Sequence, residues 1–392
     1  MTILRREFLG AAAVAAPRRK YRAAVIGHTG AGNYGHNWER VWTGLPGVEV
    51  VAIADPDDAG RKAAAARGGA ARDYRDYRKM LAAEKPGLVA VCPRWLDQRL
   101  EMVLAVVEAG AHVLVEKPFA RSVEDADRMV AAAERRGVKM QVGHTARPHP
   151  ITLQVERLLA EGAIGELMEV RARGKEDARA GGEDLIVLGT HCFDLMRFFA
   201  GDPRWVFAHV TDEGREFQRG MERKPTEPVG PVAGTEIAAM FGFARGVDGH
   251  FASRRSADRS GNRFGVTLCG SKGQMHIPLT TVPNAPAEIL RSTSWAFDKA
   301  GGWERLEPPP EVRSADRESA NRMMAIDLIE AVETGREPVC GARDGRWAIE
   351  MVMGVYQSQL AGARVAFPLR DRRHPLGSAS KAIRFGRSGV PG

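Results

Sequence analysis

The 392-residue chain predicts an α/β fold in two parts. A doubly wound parallel sheet of Rossmann type comes first, then a C-terminal α/β domain with an open, mainly antiparallel sheet. Three observations carry this reading. Apolar strand-like runs alternate with helix-like segments up to His144, at the spacing of βαβ units. A glycine-rich turn and an acid-tipped second strand open that stretch. After His144, strand-like segments follow one another without helices between them, as in an antiparallel sheet.

YRAAVIG reads as a buried first strand. The glycine turn follows, then an expected helix through HNWERVWTG. VEVVAIAD is the second strand, ending at Asp55, and DPDDAGRKAAAA the next helix. GLVAVCP, AHVLVEKP and VKMQVGH are further strands, separated by helices in RWLDQRLEMVLAVVEAG and SVEDADRMVAAAERRG. Pro148 and Pro150 mark a boundary, so residues 20–145 form the first domain and 146–369 the second. ITLQVERLLAEGAIG reads as a helix. LMEVRARG, WVFAHVTD, TEIAAMFGFARG, VDGHFASRRS, RFGVTLCGS and KGQMHIPL read as strands. Two amphipathic helices, ANRMMAIDLIEAVETGREP and DGRWAIEMVMGVYQSQLAG, follow. Residues 214–235, with three prolines, are an expected long loop. Residues 370–392 are an expected disordered basic tail.

Net charge is +8, but it sits at the two ends. Residues 1–22 and 370–392 each carry six Lys/Arg against one acid, which leaves the body slightly acidic. That distribution argues against a nucleic-acid surface. Cys92, Cys192, Cys269 and Cys340 form no CxxC pair, which argues against a structural zinc site and a disulfide framework; no metal is expected. In the leader, residues 1–19, Arg5-Arg6-Glu7-Phe8-Leu9 resembles a twin-arginine export signal, although its apolar run is short. Periplasmic or exported location is the expectation, cytoplasmic the alternative. No segment approaches the length of a membrane span.

A dinucleotide pyrophosphate needs backbone amides at close range, and side chains would block that approach. Gly27-His28-Thr29-Gly30-Ala31-Gly32-Asn33-Tyr34-Gly35 meets that need with irregular spacing. Gly-x-Gly-x-x-Gly fits from Gly30 but not from Gly27, where Thr29 stands at the second glycine. Asp55 can accept the adenosine ribose hydroxyls and repel a 2′-phosphate. NAD is therefore expected over NADP, which remains possible through Arg61 or Arg72. A helix cap before Pro56 is the alternative role for Asp55.

Glu116-Lys117-Pro118 at a strand end, the glycine turn, Asp55 and the GGEDLIVLGTHCFDLM stretch, in this order, resemble the Gfo/Idh/MocA oxidoreductase family over about residues 20–370. The resemblance implies hydride transfer between NAD(P) and a sugar, cyclitol or derivative. It places Lys117 and His191 as catalytic residues. Gly27, Thr29, Gly30, Gly32, Asp55, Cys92, Pro93 and Glu116 fall on the cofactor side. Cys92-Pro93-Arg94 stands where the family often has Thr-Pro-Asn, and Asp97 where it usually has His. His144, Arg147, Asp184 and Asp194 are candidate substrate contacts. Val187 stands where the family usually has aspartate, so Lys117 and His191 must handle the proton, unless Asp184 or Glu183 supplies a carboxylate.

The leading function is NAD-dependent oxidation or reduction of a secondary hydroxyl on a sugar, glycoside or cyclitol. One alternative is a redox-neutral glycosidase or lyase working through a keto-sugar. The other is a dinucleotide-binding sensor without turnover. An open sheet face tends to be covered, so a homo-oligomer, dimer or tetramer, is expected.

Overall fold

The computed structural model describes residues 19–255, 263–279, 285–294, 301–310 and 317–377. Its first sheet has six parallel strands: β1 (Tyr21–Ile26), β2 (Val48–Ala54), β3 (Arg72–Tyr74), β4 (Leu88–Val91), β5 (His112–Val115) and β6 (Met140–Val142). Their order is β3-β2-β1-β4-β5-β6. Strands β1, β4 and β5 are near-continuous apolar runs because helices cover both faces of such a sheet. Those helices are α1 (Asp58–Gly68), α2 (Tyr77–Glu84), α3 (Arg99–Glu108) and α4 (Val123–Arg136). The order reverses between β1 and β4, and the crevice at their carboxyl ends is where such sheets bind ligands.

The helix expected through HNWERVWTG is a correction. Only Trp38–Arg40 is helical, and in a 3₁₀ turn. Asn37, inside that segment, has φ 65°, and Asn33 and Gly35 just before it have 51° and 59°, a backbone that no right-handed helix contains. Trp38 and Trp42 bury their rings here instead. The glycine turn thus ends in tight turns rather than a regular helix.

The second part begins with α5 (Pro150–Ala160), β7 (Leu167–Arg173), α6 (Gly182–Val187) and α7 (Gly189–Ala200). It continues with β8 (Trp205–Asp212), β9 (Arg215–Glu216), β10 (Glu236–Gly242), β11 (Asp248–Arg254), β12 (Gly265–Gly270), β13 (Gly273–Pro278), β14 (Glu288–Arg291) and β15 (Glu304–Arg305). Two long helices, α8 (Arg317–Thr334) and α9 (Ala342–Ala361), and β16 (Val365–Ala366) complete it. The strand order is β15-β14-β13-β12-β7-β11-β10-β8-β16, with β9 beside β8. Among the described strands of this sheet only β7 and β11 pair in parallel, so it is mainly antiparallel, as expected. One face alternates inward with Val170, Ala172, Val206, Ala208, Ile237, Ala239 and Phe251, all buried. The other presents Phe207, about half exposed, beside Arg171, Ala238 and Met240.

The C-terminal helices return to the first sheet. Asn321 of α8 donates to the His36 carbonyl (2.8 Å) and Arg322 to that of Thr43 (2.6 Å), bracing the segment that lacks a regular helix. The tail expectation also needs correction at its start. Arg372 pairs with Asp127 (2.8 Å) and Glu350, and Leu376 is buried. The chain therefore stays packed through these residues; positions 378–392, like the leader through residue 18, lie outside the described residues.

Candidate active site

The carboxyl ends of β4 and β5 carry Cys92-Pro93-Arg94 and Glu116-Lys117-Pro118. A residue without any sequence signal ties them together. Arg99, at the start of α3 and buried, donates to the carbonyls of Pro93, Glu116 and Pro118 (2.7 Å for the last). One guanidinium thus fixes both strand-end turns, with its own pKa pulled down to about 10 by burial. Gly32 and Gly35 let the glycine turn close onto the same place. A Cβ at Gly32 would stand 2.5 Å from the Arg94 amide, and one at Gly35 2.8 Å from the Cys92 carbonyl. Gly30, with φ +82°, faces open space. This close glycine approach beside the switch point fits a dinucleotide.

Asp55 sits at the end of β2, but its carboxylate is occupied. It accepts from the Thr29 amide (2.9 and 3.1 Å), the Thr29 hydroxyl (2.7 Å) and the Asp57 amide (2.9 Å). Thr29 therefore covers the acid that was expected to meet the ribose. The helix-cap role falls instead to Asp57, which accepts from the Gly60 amide (2.6 Å). Arg61 and Arg72 are not free to hold a 2′-phosphate. Arg61 is paired with Asp58 and Asp73, and Arg72 with Glu84. With the Asp55 carboxylate fixed at the end of β2 and both Arg61 and Arg72 paired, Asp55→Asn should narrow the preference for NAD over NADP by roughly tenfold, about 1–2 kcal/mol of screened repulsion. Calorimetry showing tighter NADP binding to the native protein would refute this role.

Lys117 is buried, and its ammonium donates to the Val187 carbonyl at 3.4 Å. Burial pulls its pKa down, against Glu116 and Glu227, which favour the charge. Glu116 is buried too and pairs with His36 of the glycine turn (3.0 Å). Burial opposes its charge, yet His36, Lys117 and Arg99 hold it below the usual carboxylate range. Position 187 thus contributes a backbone oxygen, with the valine side chain itself buried. One turn further along lies His191. Burial, then Lys117, His144 and His36, press its pKa well below that of free imidazole. It is therefore neutral at pH 7, the form that accepts a proton.

The other candidate residues stand in buried networks of their own. Asp184 is fully buried and accepts from Ser253 Oγ (2.6 Å) and from the Lys175 and Glu176 amides. Glu183, also fully buried, accepts from the Thr226 amide (3.0 Å) and hydroxyl and from the Glu227 amide (3.2 Å). Neither carboxylate supplies the group missing at Val187. Arg147 and Asp194 form a buried forked ion pair (2.9 and 2.5 Å), and Arg147 also meets Asp344 (3.2 Å). His144 is wholly buried behind His191. All three are buried in one network, with His144 Nδ1 3.6 Å from Asp194 Oδ1.

Glu183 positions a segment that the sequence marks only as a loop. Through Thr226 and Glu227 it anchors the 214–235 segment, whose Pro228 carbonyl accepts from the Leu96 amide (2.9 Å) of the first domain. The expected loop is a strap joining both halves. It carries Glu227 to Arg94 (3.7 Å) and Arg179 (3.4 Å), within electrostatic reach of Lys117.

A doubly wound domain with this switch-point turn, followed by an open-sheet domain bearing the histidine, defines a nicotinamide-dependent oxidoreductase. Residues 21–144 match the model of the oxidoreductase family with an NAD-binding Rossmann fold, and residues 152–276 match the GFO/IDH/MocA C-terminal domain. The chain belongs to the Gfo/Idh/MocA family, and it is an NAD-binding oxidoreductase. It is 27% identical to D-apiose dehydrogenase of Paraburkholderia graminis over 387 residues, covering 93% of this chain and 95% of that one. It is 26% identical to levoglucosan dehydrogenase of Pseudarthrobacter phenanthrenivorans over 256 residues, 59% of this chain and 65% of that one. The fold is also that of levoglucosan dehydrogenase in complex with NADH and levoglucosan, with a TM-score of 0.72 at 19% identity, covering 89% of this chain and all of that one. Among the described residues no helix is long and apolar enough to cross a membrane.

Proposed function

We propose that the protein oxidises a secondary hydroxyl of a sugar, glycoside or cyclitol. The observation that carries this is that the Lys117 ammonium rests on the Val187 carbonyl (3.4 Å), four residues before His191, and that both side chains have depressed pKa. Bound NAD supplies the hydride acceptor. His191 or Lys117 takes the hydroxyl proton as the carbon loses its hydrogen with the electron pair, so the products are a ketone, reduced cofactor and one proton. Arg99 holds the Lys117 turn in place, and Glu116 keeps positive charge favourable beside it. D-apiose, levoglucosan and inositols, after which relatives of this chain are named, are the first compounds to try.

The strap favours a second reading, in which the ketone is an intermediate and the hydride is returned after elimination at the neighbouring carbon. A segment tied to both halves suits a cofactor retained through turnover. Export through Arg5-Arg6 would require such retention, and we carry that location forward as part of this reading. Absorbance in the reduced-nicotinamide band, followed as each sugar is added, separates the two. Net reduction with a ketone product supports the dehydrogenase. Sugar cleavage without net reduction supports the redox-neutral course. No change with any sugar and no cleavage counts against both.

A second copy of this chain is the proposed cover for the exposed sheet face around Phe207 and Met240. Phe207→Glu should then turn the oligomer into a smaller species by light scattering, and a monomeric wild type would refute the cover.

A further inference from the structure

The segment between β9 and β10 has no named helix or strand of its own, yet it is pinned. Arg223 and Val232 exchange both backbone hydrogen bonds (2.8 and 3.2 Å), so residues 224–231 form a loop whose ends are tied together. Pro225, Pro228 and Pro231 each fix a backbone angle within it. Such a tip keeps its shape and moves, when it moves, as one piece.

Its hold on the second domain is firm. Glu183 of α6 is fully buried, and it accepts from the Thr226 amide (3.0 Å), the Thr226 hydroxyl and the Glu227 amide (3.2 Å). Pulling those donors away would strand a buried carboxylate, which is costly. Toward the first domain the tip is held more lightly. The Pro228 carbonyl accepts from the Leu96 amide (2.9 Å), a bond that water can replace once the tip lifts. The Glu227 carboxylate lies 3.7 Å from Arg94 Nε, and these side chains are 15% and 34% exposed. An ion pair that long and that wet stabilises little. Gly230 rests on the stem of Arg121, where a Cβ would stand 3.1 Å from Cγ.

Arg94, Leu96 and Arg121 follow β4 and β5 in the chain, at the carboxyl ends where a doubly wound sheet binds its dinucleotide. Lys117 stands between those ends, within electrostatic reach of Glu227, Arg179 and Arg94. It is only 5% exposed, so a ligand meets its ammonium only after something moves. The tip, firm on one side and light on the other, is placed to do so.

We propose that residues 224–231 are a gate over the nicotinamide end of the crevice, hinged at Glu183 and latched by Glu227 against Arg94. Cofactor enters and leaves when the latch opens. This rests on the NAD binding established above and not on which reaction follows, so a failure of the proposed reaction leaves it standing.

The test is the kinetics of NADH binding to the full chain, read by nicotinamide fluorescence in a stopped-flow instrument. Association is followed at several NADH concentrations, and dissociation by displacement with excess NAD. A gate bars both directions, so a weaker latch speeds entry and exit alike. Glu227→Lys places a cation between Arg94 and Arg179, and both rate constants should rise about tenfold, with Kd moving far less. Glu227→Gln keeps the amide that meets Glu183 and loses only the charge, and both should rise about threefold. Added salt should speed release from the wild type and change Glu227→Gln little. If Glu227→Lys fails to fold, Glu227→Gln and the salt series decide the matter alone. Faster release with unchanged association would make Glu227 a contact of the cofactor, and unchanged rates would make the strap a brace; either result overturns the gate.

Discussion

Lys117→Ala and His191→Ala should each lower kcat by about two to four orders of magnitude, the range for a positioned general acid or base. The expectation comes from environment more than from identity. Lys117 is buried with a carbonyl, not a carboxylate, as its direct partner, and His191 is pressed to its neutral form by burial and by the lysine charge. Burial makes the Lys117 ammonium give up its proton more readily, and it keeps His191 unprotonated and open to accept one. NAD affinity should change little, because the adenosine half is met by the glycine turn and the end of β2 and not by these two side chains. The pH dependence has a definite sign. A histidine whose pKa is depressed stays a base as pH falls, so the acidic limb of kcat/KM should lie below the ordinary imidazole value. Steady-state rates with a sugar the wild type oxidises, measured from pH 5 to 9, check both points. Near-native turnover in Lys117→Ala would remove the strand-end lysine from the mechanism.

Arg147→Ala should cost about 3–5 kcal/mol, the largest stability effect expected of a single substitution here, because it strands a buried carboxylate. Asp194 has at most 1% of its surface exposed, and its charge is held in place by Arg147 first and then His144 against the penalty of burial. The pair ties α7 to the segment between β6 and α5, the two elements that carry His191 and His144. Its contribution has a sign in pH as well. The Asp194 pKa is depressed in the folded state, so the stabilisation is complete above the ordinary carboxylate range. It is lost only as pH falls well below that range, through the folded-state value. Denaturant unfolding of the variant should show a lower midpoint with an unchanged slope. A midpoint within error of wild type would mean that Asp194 is not ionised inside the protein.

The parallel sheet was legible because both-face burial writes itself as continuous apolar runs, and β1, β4 and β5 are such runs. The antiparallel sheet was legible from period-two alternation in segments such as WVFAHVTD. HNWERVWTG was misread because its apolar spacing suits a helix, while positive φ at Asn33, Gly35 and Asn37 depends on how the glycine turn packs against Cys92 and Glu116. The site was legible in part. Lys117 and His191 stand in marked surroundings along the chain. Asp184, Glu183, Arg147 and Asp194 carry the same chemistry in one dimension, and only their partners in space show that they build the site instead of lining it. Arg99 had no signal at all, since an arginine at a helix start looks solvated until three strand-end carbonyls converge on it.

The most direct test of hydride transfer at this crevice is an isotope trace. A sugar that the wild type oxidises is deuterated at its ring carbons and incubated with the full chain and NAD, and the recovered cofactor is weighed by mass spectrometry. Reduced cofactor carrying one deuterium, formed by the wild type and strongly diminished in Lys117→Ala, is the predicted result. Product formed while the cofactor pool stays free of deuterium would contradict the account.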